Sequence, residues 1–206
     1  MTIQLDFLFD FGSPNAYLSH LVIPVIEART GVKFNYVPVL LGGVFKATNN
    51  VSPMVAMQGI RNKPQFAQQE MQRFLKKHGI TSYVRNPFFP VNTLVIMRGA
   101  VFAQTQPYFE RYVDAVYRHM WAEPKKMDDP AVIAAALTES GLPGDAILAG
   151  ATLPEVKQGL IANVDAAVAR GVFGSPSFFV DNELYFGKDQ LRDVEEEIVR
   201  RLSGVP

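Results

Sequence analysis

The sequence predicts an α/β fold in which both ends of the chain build one four-stranded sheet around a long helical insertion. Three observations predict it. The first forty residues alternate strand, helix and strand; residues from about 41 to 170 carry mainly helical patterns; the residues after 170 return to strand chemistry before a last helix.

Residues 3–9 (IQLDFLF) read as a strand rich in β-branched and aromatic residues, with both faces largely apolar, as a central strand requires. The loop Asp10-Phe11-Gly12-Ser13-Pro14 follows and runs straight into a helical pattern. Ser13 is a favoured N-cap, and Pro14 suits the first helical position, where no N–H is needed. Tyr17, Leu18, Leu21, Val22, Val25 and Ile26 recur at helical spacing until Gly31. Residues 32–39 (VKFNYVPV) then supply a second strand, and strand–helix–strand in about forty residues is a unit whose two strands should be parallel.

Beyond it, a polar loop with Thr48-Asn49-Asn50 precedes a helix around Pro64–His78, then a Pro-rich bend at 86–90 (NPFFP). Further helices are predicted over roughly 92–104, 107–121, 129–140 and 154–170. At the end, 176–180 (PSFFV) and 183–186 (ELYF) flank Asp181-Asn182, a two-residue hairpin signal. The final helix carries Leu191, Val194, Ile198 and Leu202 on one face. Together, β-α-β, a helical block and β-β-α make a thioredoxin-like arrangement, with residues 1–40 and 171–206 as the sheet unit and 41–170 as an all-helical insertion.

Composition narrows the function. Lys plus Arg and Asp plus Glu both number 20, so no basic excess recommends a nucleic-acid partner or an anionic membrane surface. No apolar run approaches a membrane span, and the alternating N-terminus with Asp6 and Asp10 does not resemble a secretory signal, so a cytoplasmic protein is expected. The absence of cysteine rules out a disulfide, a thiolate metal site or a redox couple made by the chain itself. His20, His78 and His119 are too far apart to spell a metal motif, and no metal is expected. Ser13 lacks the G-x-S-x-G elbow of a hydrolase.

Two places carry chemistry. Ser13 stands beyond the carboxyl end of the first strand, where a helix N-terminus offers free N–H groups and positive partial charge; its plain role is capping. Phe173-Gly174-Ser175-Pro176 precedes a late strand, and the proline opens that strand because it cannot sit inside it. The Ser175–Pro176 bond is a candidate for cis geometry.

Five motifs in order carry a family resemblance: 10–17 (DFGSPNAY), 41–50 (LGGVFKATNN), 86–93 (NPFFPVNT), 171–179 (GVFGSPSFF) and 185–191 (YFGKDQL). With them the chain resembles the 2-hydroxychromene-2-carboxylate isomerases and the kappa-class glutathione transferases of the DsbA-like thioredoxin superfamily. Redox members of that superfamily carry Cys-x-x-Cys where this sequence has Ser13 and Ala16, so thiolate exchange by the chain is excluded. The resemblance implies that glutathione supplies the sulfur as cofactor, with Ser13 donating a hydrogen bond to it. A thiol of pKa about 8.5 is about 3% ionised at pH 7. A favourable helix terminus contributes up to about 2 kcal/mol, enough to bring that value near 7 and ionise about half.

The resemblance further implies glutathione contacts at Asn50, Lys63, Phe173, Ser175, Pro176 and Asp189. Lys63 suits the glycine carboxylate. The backbone of Ser175 would meet the cysteinyl part as an added strand does. Asp189 suits the γ-glutamyl ammonium, or caps the last helix. Phe88, Phe89 and Trp121 are candidates to line an apolar pocket for a small aromatic substrate, although such residues also build cores. The implied activity is a glutathione-dependent isomerisation by a homodimer. The alternatives are a conjugating transferase, which consumes glutathione, and a non-enzymatic module binding a peptide along the Pro176 edge.

Overall fold

A computed structural model describes residues 3–204. The outermost two residues at each end of the expected sheet unit lie outside the described residues. The chain begins with β1 (Leu5–Phe9), α1 (Pro14–Thr30) and β2 (Asn35–Pro38). Eight helices follow: α2 (Leu41–Thr48), α3 (Pro53–Ala56), α4 (Lys63–His78), α5 (Leu94–Ala103), α6 (Phe109–Trp121), α7 (Pro130–Glu139), α8 (Gly144–Gly150) and α9 (Pro154–Ala169). The hairpin β3 (Ser177–Val180) and β4 (Glu183–Phe186), a 3-10 turn at Lys188–Gln190 and α10 (Leu191–Leu202) complete it.

The sheet order is β2-β1-β3-β4. β1 runs parallel to β2, with Phe7 opposite Tyr36, and antiparallel to β3, with Phe7 opposite Phe178. All five β1 residues are buried, which explains why apolar side chains occur on both faces, with Asp6 the one polar member. On one face Phe7 stacks on Phe178 at 5.3 Å between ring centroids and meets the edge of Tyr36 at 4.9 Å. Phe11 continues this ladder to Tyr117 on α6 at 4.8 Å, so sheet and helical block share one aromatic core.

The opposite face is covered by α2 and α9. Leu8, Val39 and Phe179 of the sheet pack with Val44, Val164 and Ala167 of those helices. The first and last helices of the stretch drawn from sequence as an insertion therefore form a layer on the sheet. Asp6 on this face is buried, with Arg170 Nη1 2.9 Å from one carboxylate oxygen and Asn35 Nδ2 2.9 Å from the other. The Arg170 guanidinium also lies 3.6 Å over the Phe179 ring, which fastens the end of α9 to the sheet. The exposed edge of β2 is covered by side chains: Gln104 donates to Tyr36 O and Asn163 to Pro38 O.

Three helices had no counterpart in the sequence reading, α2, α3 and α8. α2 holds Gly42 and Gly43, and its N-cap position is Leu40, whose side chain makes no capping hydrogen bond. Its cap comes from afar: Asp10 accepts the Leu41 N–H at 2.7 Å. Gly43 is small for a reason, since a Cβ there would meet Val164 of α9 at 3.3 Å. In α8, a Cβ on Gly144 would lie 2.5 Å from Ala134 O, and one on Gly150 2.5 Å from the Phe102 ring. These glycines lower helix propensity so that helices can approach closely.

Candidate active site

The site is built where β1 ends. Asp10 accepts the Gly12 N–H at 2.8 Å, and Ser13 N–H bonds Asp10 O at 3.0 Å, so the chain turns sharply into α1. Ser13 has extended backbone (φ −93°, ψ 112°), and its Oγ accepts the Ala16 N–H at 3.2 Å. It is an N-cap, as expected, followed by Pro14 at the first helical position. Its hydroxyl proton points elsewhere. Ser13 Oγ donates to Ser175 O across 3.0 Å, and Ser13 is only 6% exposed.

The Ser175–Pro176 bond is cis. Ser175 braces the same turn with its own side chain, accepting the Asp10 N–H and donating to Leu8 O, each at 3.2 Å. Two unbonded amides flank the contact among the described residues: Asn15 N–H in the first turn of α1 and Ser175 N–H before the proline. Ser13 and Ser175, 162 residues apart in sequence, thus share one centre at the carboxyl end of β1.

Asn50 joins this centre at one side, because its Nδ2 donates to Phe173 O at 2.8 Å. Phe173 is exposed and packs on the Phe186 ring at 4.4 Å. Gly174 must lack a side chain, since a Cβ would come within 2.8 Å of that ring. On the other side stands the bend before α5. A Cβ on Gly12 would lie 3.1 Å from Thr93, and Thr93 also bonds the Asp10 carboxyl. The Phe89–Pro90 bond in this bend is cis as well.

The aromatic candidates divide. Trp121 is 1% exposed, with its indole N–H bonded to Phe11 O at 2.7 Å. It packs in the core behind the turn, the alternative that the sequence reading also allowed for such aromatics, and its one polar atom is bonded there. Phe89 packs against it at 5.8 Å, and Phe88 is 48% exposed. Lys63 is the exposed first residue of α4, with no ion pair among the described residues. Asp189 does not cap the last helix; it lies in the 3-10 turn, and Gln190 precedes α10 without a side-chain bond. Asp189 instead pairs with Lys188, whose buried ammonium sits 4.9 Å over the Phe74 ring of α4.

Sequence reasoning gave Asp10 no role, yet this buried carboxyl ties three elements: the Ser13 turn, the start of α2 and Thr93. Burial pushes its pKa above the ordinary carboxylate value, against the pull of those hydrogen bonds. The local signal was the Asp-x-Gly spacing of a side-chain-stabilised turn; the link to Leu41 left none. No group of His, Asp and Glu among the described residues is arranged to hold a metal ion. Among the described residues, no helix is long and apolar enough to cross a membrane.

A sequence model of the DSBA-like thioredoxin domain matches residues 4–199. The chain belongs to this family. It is 26% identical over 199 residues to a 2-hydroxychromene-2-carboxylate isomerase of Sphingobium xenophagum, covering 97% of this chain and 100% of the relative. It is 25% identical to the isomerase of that name from Pseudomonas putida, covering 95% and 94%. A solved structure of a 2-hydroxychromene-2-carboxylate isomerase superposes with a TM-score of 0.82 at 23% identity, covering 98% of both chains.

Proposed function

We propose that this chain is a glutathione-dependent isomerase of 2-hydroxychromene-2-carboxylate or a related intermediate of aromatic catabolism, working as a cytoplasmic homodimer. The observation that carries the reading is the Ser13–Ser175 contact at the head of α1 in a chain without cysteine. The names of relatives aligned along nearly the whole chain support the substrate class.

The donor set suits a thiol-bearing peptide. Ser175 offers an unbonded N–H and a carbonyl on one residue, the pairing an extended peptide uses, and Asn15 N–H points from the positive end of α1. Glutathione, when bound, supplies the nucleophilic thiol that adds reversibly to a conjugated double bond and leaves it free to rotate. The protein's part is to hold and ionise that thiol. Ser13 Oγ–H turns from Ser175 O to the sulfur while its lone pair still caps Ala16 N–H. Asp10 and Ser175 fix the turn so that this rotation is the single adjustment required. Asn50 and Lys63 are the candidates for the glycine carboxylate, Asp189 for the γ-glutamyl ammonium, and Phe88 and Phe89 for the aromatic ring of the substrate.

Ultraviolet spectra of a hydroxychromene carboxylate test the reading. With enzyme and a small amount of glutathione, the spectrum should shift to that of the open-chain alkene while the thiol titre stays constant. Stoichiometric loss of thiol would assign the transferase reading. An unchanged spectrum, with no rise in Tm at millimolar glutathione, would leave a binding module.

A further inference from the structure

Charge is unevenly placed in this electrically neutral chain. Between Lys46 and Gln106 it carries eight Lys and Arg residues and one acid, Glu70. None of those eight cations forms an ion pair among the described residues. Elsewhere cations are mostly neutralised within the fold, as Arg29 is by Glu195 and Arg170 by Asp6. The stretch from α2 to α5, which includes Asn50 and the Phe88 bend, therefore shows solvent a field of unbalanced positive charge.

Within this stretch lies a groove of about 560 Å³ between the last turns of α4 and the connection that follows. Leu75, Ile80 and Tyr83 supply its apolar lining, and Gln72, Lys76 and Arg85 its polar rim. Tyr83 ties the groove to the candidate active site. Its ring stacks 6.5 Å from Tyr17, one helical turn past Ser13, and 6.2 Å from Trp121, which is bonded to Phe11. Lys76 has a local use, since cations in a helix's last turn complement its dipole. Arg85 has none: it lies beyond the helix and makes no ion pair among the described residues. Leu75 O and Lys76 O are already bonded by Ile80 and Gly79 N–H groups, so these carbonyls do not repel an anion at the rim.

A lining with one aromatic ring, two aliphatic side chains and two unpaired cations complements a flat, apolar molecule with one negative end. We propose that this groove seats a planar aromatic carboxylate, its ring against Tyr83 and its carboxylate between Arg85 and Lys76. The inference rests on the isomerase reading for the reacting centre and extends it, placing a receiving site for anionic substrate beside the thiol site. The surrounding positive charge raises the encounter rate with such an anion, and salt suppresses it.

Calorimetric titration of 2-naphthoate without glutathione tests the groove alone, with 2-naphthalenemethanol as the neutral control. Near 0.01 M salt, where screening extends over about 30 Å, wild type should bind the carboxylate at least about fivefold more tightly than the alcohol, one exposed charge contact's worth. The double variant R85Q/K76Q should lose that preference and keep its affinity for the alcohol. Both side chains are exposed, and an unchanged Tm would show the variant is folded. Absence of naphthoate binding by wild type, or equal binding by the variant, would overturn the groove assignment. Glutathione titrated into the same preparations reads the Ser13 site separately: its failure to bind removes the isomerase reading and leaves the naphthoate result to decide the groove.

Discussion

Ser13 Oγ donates to Ser175 O across 3.0 Å while accepting the Ala16 N–H, so one hydroxyl caps a helix and closes a contact 162 residues away in sequence. The two duties are separable by mutation.

Ser13→Ala removes both the cap and the cross-link, whereas Ser13→Gly keeps a favoured cap residue. Thermal melts should show Ser13→Ala about 1 kcal/mol less stable than wild type, and Ser13→Gly only a few tenths less. If Ser13 acts on a bound thiol, both variants lose glutathione-dependent activity alike. Activity that follows stability, intact in Ser13→Gly, would mean that Ser13 is a cap alone.

Asp10→Asn is not a neutral exchange. The carboxylate accepts from Gly12 N–H and from Leu41 N–H, and an amide must turn its NH2 toward one of these donors. Denaturant titration should give a loss of about 2–3 kcal/mol, with backbone exchange rising first at the start of α2. The pH dependence has a definite sign. Because burial raises the folded pKa above the ordinary 3.8, the folded state holds the proton more tightly than the unfolded chain. The stability associated with that proton is fully present below 3.8 and lost as pH rises through the folded value. Stability measured against pH should therefore decline through this window in wild type and flatten in Asp10→Asn.

Arg170→Met leaves Asp6, buried on the face under α2 and α9, without its ionic partner. Stranding a buried carboxylate in this way costs about 3–5 kcal/mol, although Asn35 still donates to it. Asp6→Asn combined with Arg170→Met should recover part of that loss. A double variant no better than Arg170→Met would show that the packing of the guanidinium on Phe179, and not its charge, holds α9 to the sheet.

Much of the fold is legible along the chain because its signals are local. The apolar residues on both faces of β1, Ser13-Pro14 before α1, Gly31 after it and the Asp181-Asn182 turn each state their structure within a few residues. α2 is illegible for the opposite reason, since its cap is Asp10, 31 residues earlier, and its glycines are explained by Val164. The strands are also shorter than their sequence patterns: β1 starts at Leu5 and β2 at Asn35, where pairing with the neighbouring strand begins.

The candidate site divides along the same line. Ser13 as cap, Pro176 as strand opener and the exclusion of a thiol made by the chain itself are properties of residue type and local order, so the amino-acid sequence alone determined them. That Ser13 bonds Ser175, that Trp121 is spent on Phe11, that Asp189 leaves the cap of α10 empty and that a buried carboxyl anchors the turn were decided only by tertiary structure. Each depends on a partner distant in sequence, and a hydrogen bond or a buried contact exists only once folding has brought both partners out of water together.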